Sequence, residues 1–188
     1  MLTLHGWMID ERSYAVRLAA SLASVPLVMT TDRRAETFGP TLTDEDEGVC
    51  CVGLYECIQQ LSRLCPGALP WPGPDRIAQL HWAIEGLEAF SVARRTAFAA
   101  TMPARPETED MTCLYRELED HLANTLLAGN KWLSGERIGA IDIVVFPIAG
   151  LARDLDIALD LYPALRRFVR EMREQPGFVV MPGIPSCH

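Results

Sequence analysis

The sequence predicts an α+β domain followed by an all-helical one. Three observations carry this. Short apolar strands alternate with amphipathic helices up to Leu64, a proline-rich stretch follows, and every apolar stripe beyond it has helical spacing. Leu2 to Gly6 reads as an alternating strand and Met8 to Asp10 as a loop. Asp10 or Ser13 can cap a helix running to about Ser24, with Val16, Ala20 and Ala23 on one face. Val25-Pro26 ends it, and Leu27 to Thr30 is a second strand. Thr41 to Thr43 and Val49 to Val52 read as a hairpin whose acidic tip, Asp44 to Gly48, is a solvated turn. Leu54, Ile58, Leu61 and Leu64 mark one side of a helix over 54–64. Strand, helix, strand, hairpin, helix is a thioredoxin-like order.

Four prolines between Cys65 and Pro74 exclude a helix interior, so this stretch is a linker. The predicted boundaries are 1–66, a linker over 67–74, and a helical domain over 75–188. Within the last, Ile77, Leu80, Ile84 and Leu87 form one stripe, and Met111, Leu114, Tyr115, Leu118 and Leu122 a second. Leu165, Phe168, Val169 and Met172 form a third, on a helix opened by Tyr162-Pro163.

Composition narrows the function. With 188 residues, 49% of them hydrophobic, the chain can build a good core. A formal charge of −8, with one lysine among 17 basic residues, leaves no basic stripe for nucleic acid or anionic membranes. No run is apolar enough to span a bilayer, and no signal segment opens the chain, so a cytoplasmic protein is expected. Cys50, Cys51, Cys57, Cys65, Cys113 and Cys187 lack metal-ligand spacing and read as reduced thiols. No metal is expected. Vicinal Cys50 and Cys51 read as small apolar strand residues.

Trp132 to Pro147 organises the rest. Gly139 stands where an N-cap belongs, and Asp142, three residues on, can reach back to its free N–H as half of a capping box. Ile141, Ile143, Val144, Val145 and Phe146 make the helix apolar nearly all round, so it belongs in a core. Pro147 cannot donate to Ile143, and a kink is expected there.

Leu133, Gly135, Glu136 and Asp142 follow the pattern Leu-x-Gly-Asp-x-x-(Ser/Thr)-x-Ala-Asp plus apolar run. That pattern resembles the C-terminal domain of glutathione S-transferases, with Gly139 and Ile141 as departures. Leu4-His5-Gly6, Ser13 to Leu18, Val25-Pro26, Gly39-Pro40-Thr41-Leu42, Tyr162 to Leu165 and Gln175 to Phe178 resemble further segments of the family in the right order. The resemblance implies a shortened thioredoxin-like domain, a homodimer, and glutathione as co-substrate. It also implies a cis bond ahead of Pro40. Between Pro26 and Pro40 the family has a long loop and a second helix. Here the span is too short for both a strand and a helix.

The resemblance also places a site, and the sequence departs from it. The family's thiolate-stabilising position falls at Asp10, where a carboxylate would raise a neighbouring thiol pKa. Ser13 or Tyr14 is then the expected thiolate contact, with Arg12 adding positive charge. The family's acidic-Ser pair falls at Gly53-Leu54 and is absent, with Tyr55 and Glu56 as substitutes. Arg33 or Arg34 offers a carboxylate grip. Gly39, before Pro40, offers backbone N–H and C=O to the tripeptide whatever its side chains. Trp7, Met8, His81, Trp82 and Arg94 are expected around an electrophile. Each residue also has a plain role: caps and first-turn residues at the helix start, exposed charges at Arg34 and Glu56, packed aromatics elsewhere. Arg94, on an apolar stripe, must pair, snorkel or face a cleft.

The implied activity is addition of glutathione, or transfer of sulfur from it, to a specialised small electrophile in secondary metabolism or catabolism. The alternatives are a non-catalytic scaffold built on the same fold, and a glutathione-independent isomerase or lyase.

Overall fold

Alternation along the first strand decides which face of the sheet is covered. The structure is a computed structural model and describes residues 1–46, 48–99 and 108–184, leaving Cys187 outside them. In β1 (Leu2–Gly6), Leu2, Leu4 and Gly6 are buried while Thr3 and His5 are half-exposed. Strands β2 (Leu27–Thr31), β3 (Thr41–Asp44) and β4 (Val49–Val52) complete a mixed sheet in the order β2-β1-β3-β4. β1 runs parallel to β2 and antiparallel to β3, with Leu4 opposite Met29 and Leu42. The β3–β4 hairpin sets Leu42 opposite Cys51 and leaves β4 at the sheet edge. The N-terminal ammonium bonds Asp44 and Asp46 at the hairpin tip, so that turn also anchors the first residue.

α1 (Glu11–Leu22) and α3 (Leu54–Leu64) pack against each other beside the sheet. The span between β2 and Pro40 departs from expectation. It holds a one-turn helix, α2 (Ala35–Phe38), after Asp32 turns the chain by accepting from Arg34 N at 2.9 Å. One turn is too short to stand alone. The Ala35 and Glu36 carbonyls accept from Arg12 at 2.9 and 2.7 Å, and Glu36 O also from Arg95 at 2.5 Å. Two arginines therefore hold a helix that its own length cannot.

Past the linker lie α4 (Ile77–Ala99), α5 (Thr108–Leu127), α6 (Ala140–Gly150) and α7 (Pro163–Arg173). α6 is the hub. It packs on α4, α1 and α7, and Ile143 to Phe146 have no exposed surface. Each such side chain stabilises by about 1.5–3 kcal/mol. The helix runs through Pro147 to Gly150. One apolar cluster joins Leu4, Leu42 and Ile58 to Leu87, Tyr115 and Phe146, so the sheet side and the helical side share a core.

Asp142 organises the start of α6. Its carboxylate accepts from Leu133 N at 2.7 Å, Ser134 N at 3.1 Å and Gly139 N at 3.0 Å. Burial pushes its pKa up, and these backbone donors pull against that. Gly139 replaces the usual cap side chain for a steric reason: a Cβ would sit 2.6 Å from Ser134 Oγ and 2.9 Å from Pro70 O. A carboxylate serves α7 similarly, Glu119 accepting from Ala164 N and Leu165 N at 2.8 and 2.9 Å. The C-terminal segment returns over α1. Tyr14 OH donates to Val179 O at 2.8 Å, and a Cβ on Gly177 would meet Ser21 O at 2.9 Å. Among the described residues no helix is long and apolar enough to cross a membrane.

Candidate functional site

The start of α1 is the expected centre of the site, and its polar atoms are spent on one another. Asp10 is the N-cap: its Oδ2 accepts from both Ser13 N and Ser13 Oγ at 2.7 Å. Ser13 Oγ accepts in turn from Trp7 N at 3.1 Å. Its neighbour Gly6 has to be small, because a Cβ there would lie 2.9 Å from that oxygen. Arg12 grips Asp10 Oδ1 through Nε and Nη2 at 3.0 Å and Glu88 through Nη1 at 3.1 Å, besides the two α2 carbonyls. Asp10, Arg12, Ser13 and Tyr14 are all buried. Tyr14 points to the C-terminal segment, and burial holds its phenol far above the usual range. The single Ser13 proton is committed to Asp10, so neither hydroxyl offers a proton to a thiolate.

The main-chain edge at Gly39 is also occupied. Gly39 is buried, and its N–H closes α2 on Ala35 O at 2.9 Å. The cis bond implied by the resemblance is not there: no peptide bond among the described residues is cis, so Gly39-Pro40 is trans. The reversal is taken up by the Gly39 backbone instead, at φ 82° and ψ 170°, which glycine alone adopts readily. Pro40 O accepts from Gly53 N at 2.9 Å, so this end of β3 is bonded into the fold. Beneath it lies Cys57, whose thiol is 3.7 Å from Pro40 O and 3.5 Å from Cys51 O. Burial raises that thiol to about 12, making it a poor nucleophile.

The remaining residues scatter. Arg34 is exposed and paired with Asp32 at 2.8 Å, while Arg33 lies over the Trp7 ring at 5.1 Å. Met8 is exposed beside Arg17. Tyr55 packs edge-on against Trp71 at 5.2 Å and near His81 at 5.6 Å, joining α3, the linker and α4. Glu56 is exposed and folds back over Gly53. Trp82 turns away from this cluster, to His121 at 4.5 Å and Glu117 at 3.2 Å. Arg94 is buried and paired: Nη1 donates to Glu11 Oε2 at 2.9 Å and Ile9 O at 2.7 Å, and Nε to Asp154 at 2.7 Å. Glu11, Glu88 and Asp154 carry much of this geometry, yet no local spacing singles them out. Their partners lie 60 to 83 residues away in sequence. Among the described residues no three His, Cys, Asp or Glu side chains converge on a metal position.

Residues 98–176 match the family model described as glutathione S-transferase, C-terminal domain. That segment is less than half of the chain, and it is similar to the C-terminal domain of the glutathione S-transferases. Solved structures share its fold over nearly the whole length. A possible glutathione S-transferase from Rhodopseudomonas palustris superposes with TM-score 0.75 at 20% identity, covering 98% of this chain and 99% of that one. A glutathione transferase homologue from Sulfitobacter, with bound glutathione, gives 0.66 at 20% identity and 94% coverage of each chain. Ure2p in complex with glutathione gives 0.75 at 13% identity, covering 94% of this chain and 91% of that one. No curated protein matches.

Proposed function

We propose that this chain, a member of the glutathione S-transferase superfamily on our reading, uses the fold as a non-catalytic interaction scaffold. One observation carries the reading: Ser13 Oγ gives its proton to Asp10 Oδ2. The Gly39 N–H, bonded to Ala35 O, agrees with it. Thiol activation needs a free donor or positive field at the sulfur, and the Asp10 carboxylate supplies the opposite sign. The trans bond before Pro40 supports the same reading. The partner it fits is a second copy of the chain. Among the described residues the outer edge of β4 has no strand beside it and Val52 is exposed, which supports this, since an open strand edge is a ready pairing surface.

The test joins calorimetry at millimolar glutathione to retention on glutathione resin and conjugation of an aromatic chloride. Neither binding nor turnover is expected, with a dimer by light scattering. Turnover that depends on glutathione overturns the scaffold reading.

The second reading is a glutathione transferase acting on a specialised small electrophile. The Sulfitobacter homologue and Ure2p, both holding glutathione on this fold, favour it. It requires Ser13 to exchange Asp10 for the thiolate, and binding without generic turnover would select it.

A further inference from the structure

α7 carries Arg166, Arg170 and Arg173 at i, i+4 and i+7, so the three share one helix face. That face is one wall of a cleft of about 640 Å³. The opposite wall is the end of α6 and the segment after it, which adds Arg153. Four of the chain's 17 basic residues gather here, although the protein as a whole is strongly acidic. Asp156 and Asp160 also line the cleft, so positive charge stays in excess. Asp160 is held by Arg166 at 3.2 Å. Among the described residues the Arg153 and Arg170 side chains make no ion pair.

Helix electrostatics explain only part of this. Cations in the last turn favour a helix, which covers Arg170 and Arg173. Arg166 sits near the positive end of α7, where a cation is disfavoured, and Arg153 belongs to another element. Stacking like charges four residues apart also costs helix stability. The floor is apolar, with Ala149, Ile157, Val169 and Ile184. The volume lies within the usual range for small-molecule sites.

We propose that this cleft binds a small organic dianion with a compact apolar body, a phosphate ester or a dicarboxylate. Arg153 and Arg170 grip the anionic groups from opposite walls, because a guanidinium offers two parallel N–H donors to either oxyanion. Val169 and Ile184 cover the apolar part. The site shares no lining residue with the start of α1, so it stands whether or not glutathione binds.

The full chain is titrated by calorimetry with phenyl phosphate, succinate and neutral phenol, and its melting is followed with each. At least one dianion binds and raises Tm, and phenol does not. Phenyl phosphate alone assigns the ester, and succinate alone the dicarboxylate. In the R153A/R170A variant binding weakens about tenfold or more, two guanidinium groups with their charge-assisted hydrogen bonds having been lost. Both side chains are exposed, so that variant melts like the parent without ligand. The control R167A, whose arginine pairs with Glu171 outside the cleft, binds normally. Absence of binding by either dianion, affinity that survives R153A/R170A, or phenol binding as tightly as phenyl phosphate overturns the assignment.

Discussion

Arg94 and Glu11 form an ion pair at 2.9 Å with both side chains buried, 7% and 3% exposed. The pair ties α4 to α1, and Asp154 extends it to the turn after α6. Arg94→Met leaves Glu11 without its cation, and a stranded buried charge typically costs about 3–5 kcal/mol. The loss depends on pH. Burial, and then the neighbouring Asp10 charge, raise the Glu11 pKa above its ordinary 4.5. A raised acid binds protons more readily in the folded state, so its contribution falls as pH climbs from 4.5 through the folded value. Removing Arg94 raises that value further. Urea unfolding at pH 5 and pH 8 is therefore expected to show the smaller deficit at pH 5, and equal deficits would refute the assignment.

Asp142→Ala strands three backbone donors, at Leu133, Ser134 and Gly139. Each unsatisfied buried group costs about 1–3 kcal/mol, so the variant is expected to be largely unfolded at 37 °C by circular dichroism.

Gly139→Ala tests why glycine stands at that cap. Its φ of −137° suits any residue, so a penalty can come only from the contacts at Ser134 and Pro70 O. Overpacking costs about 1–3 kcal/mol, read as a lower Tm. An unchanged Tm would mean that the linker yields freely.

Cys57 and Cys50 separate by access. The buried Cys57 thiol sits at about 12, while Cys50 is exposed. Iodoacetamide at pH 8 followed by peptide mass spectrometry is expected to label Cys50 in the native protein and Cys57 only after denaturation.

Ser13→Ala/Tyr14→Phe removes the two hydroxyls proposed for thiolate contact. Each bond lost, to Asp10 and to Val179 O, is worth about 0.5–1.5 kcal/mol, so Tm falls. Any residual conjugation rate is expected to be the same as in the parent. A selective loss of rate would return these hydroxyls to the chemistry.

Much of the fold was legible because it is written in local periodicity. The stripe from Leu54 to Leu64 marks α3 from end to end, and the all-apolar run behind Asp142 marks the central helix. α2 was missed because arginines from two other helices hold its single turn, and length rules see only the turn. The site was legible as a set of positions but not as a set of bonds. Sequence places Asp10 and Ser13 one helical turn apart, yet not where the hydroxyl proton goes. Arg94 had to find a partner, but Glu11 lies 83 residues upstream and no spacing rule joins them.

The contact of Tyr14 with Val179 has a consequence for biogenesis. The first helix is sealed by a residue made 165 positions after it. The amino-terminal half therefore waits, incompletely closed, until that distant segment has been synthesised. Nonsense or frameshift changes just ahead of Val179 should be as harmful as lesions in the middle of the gene.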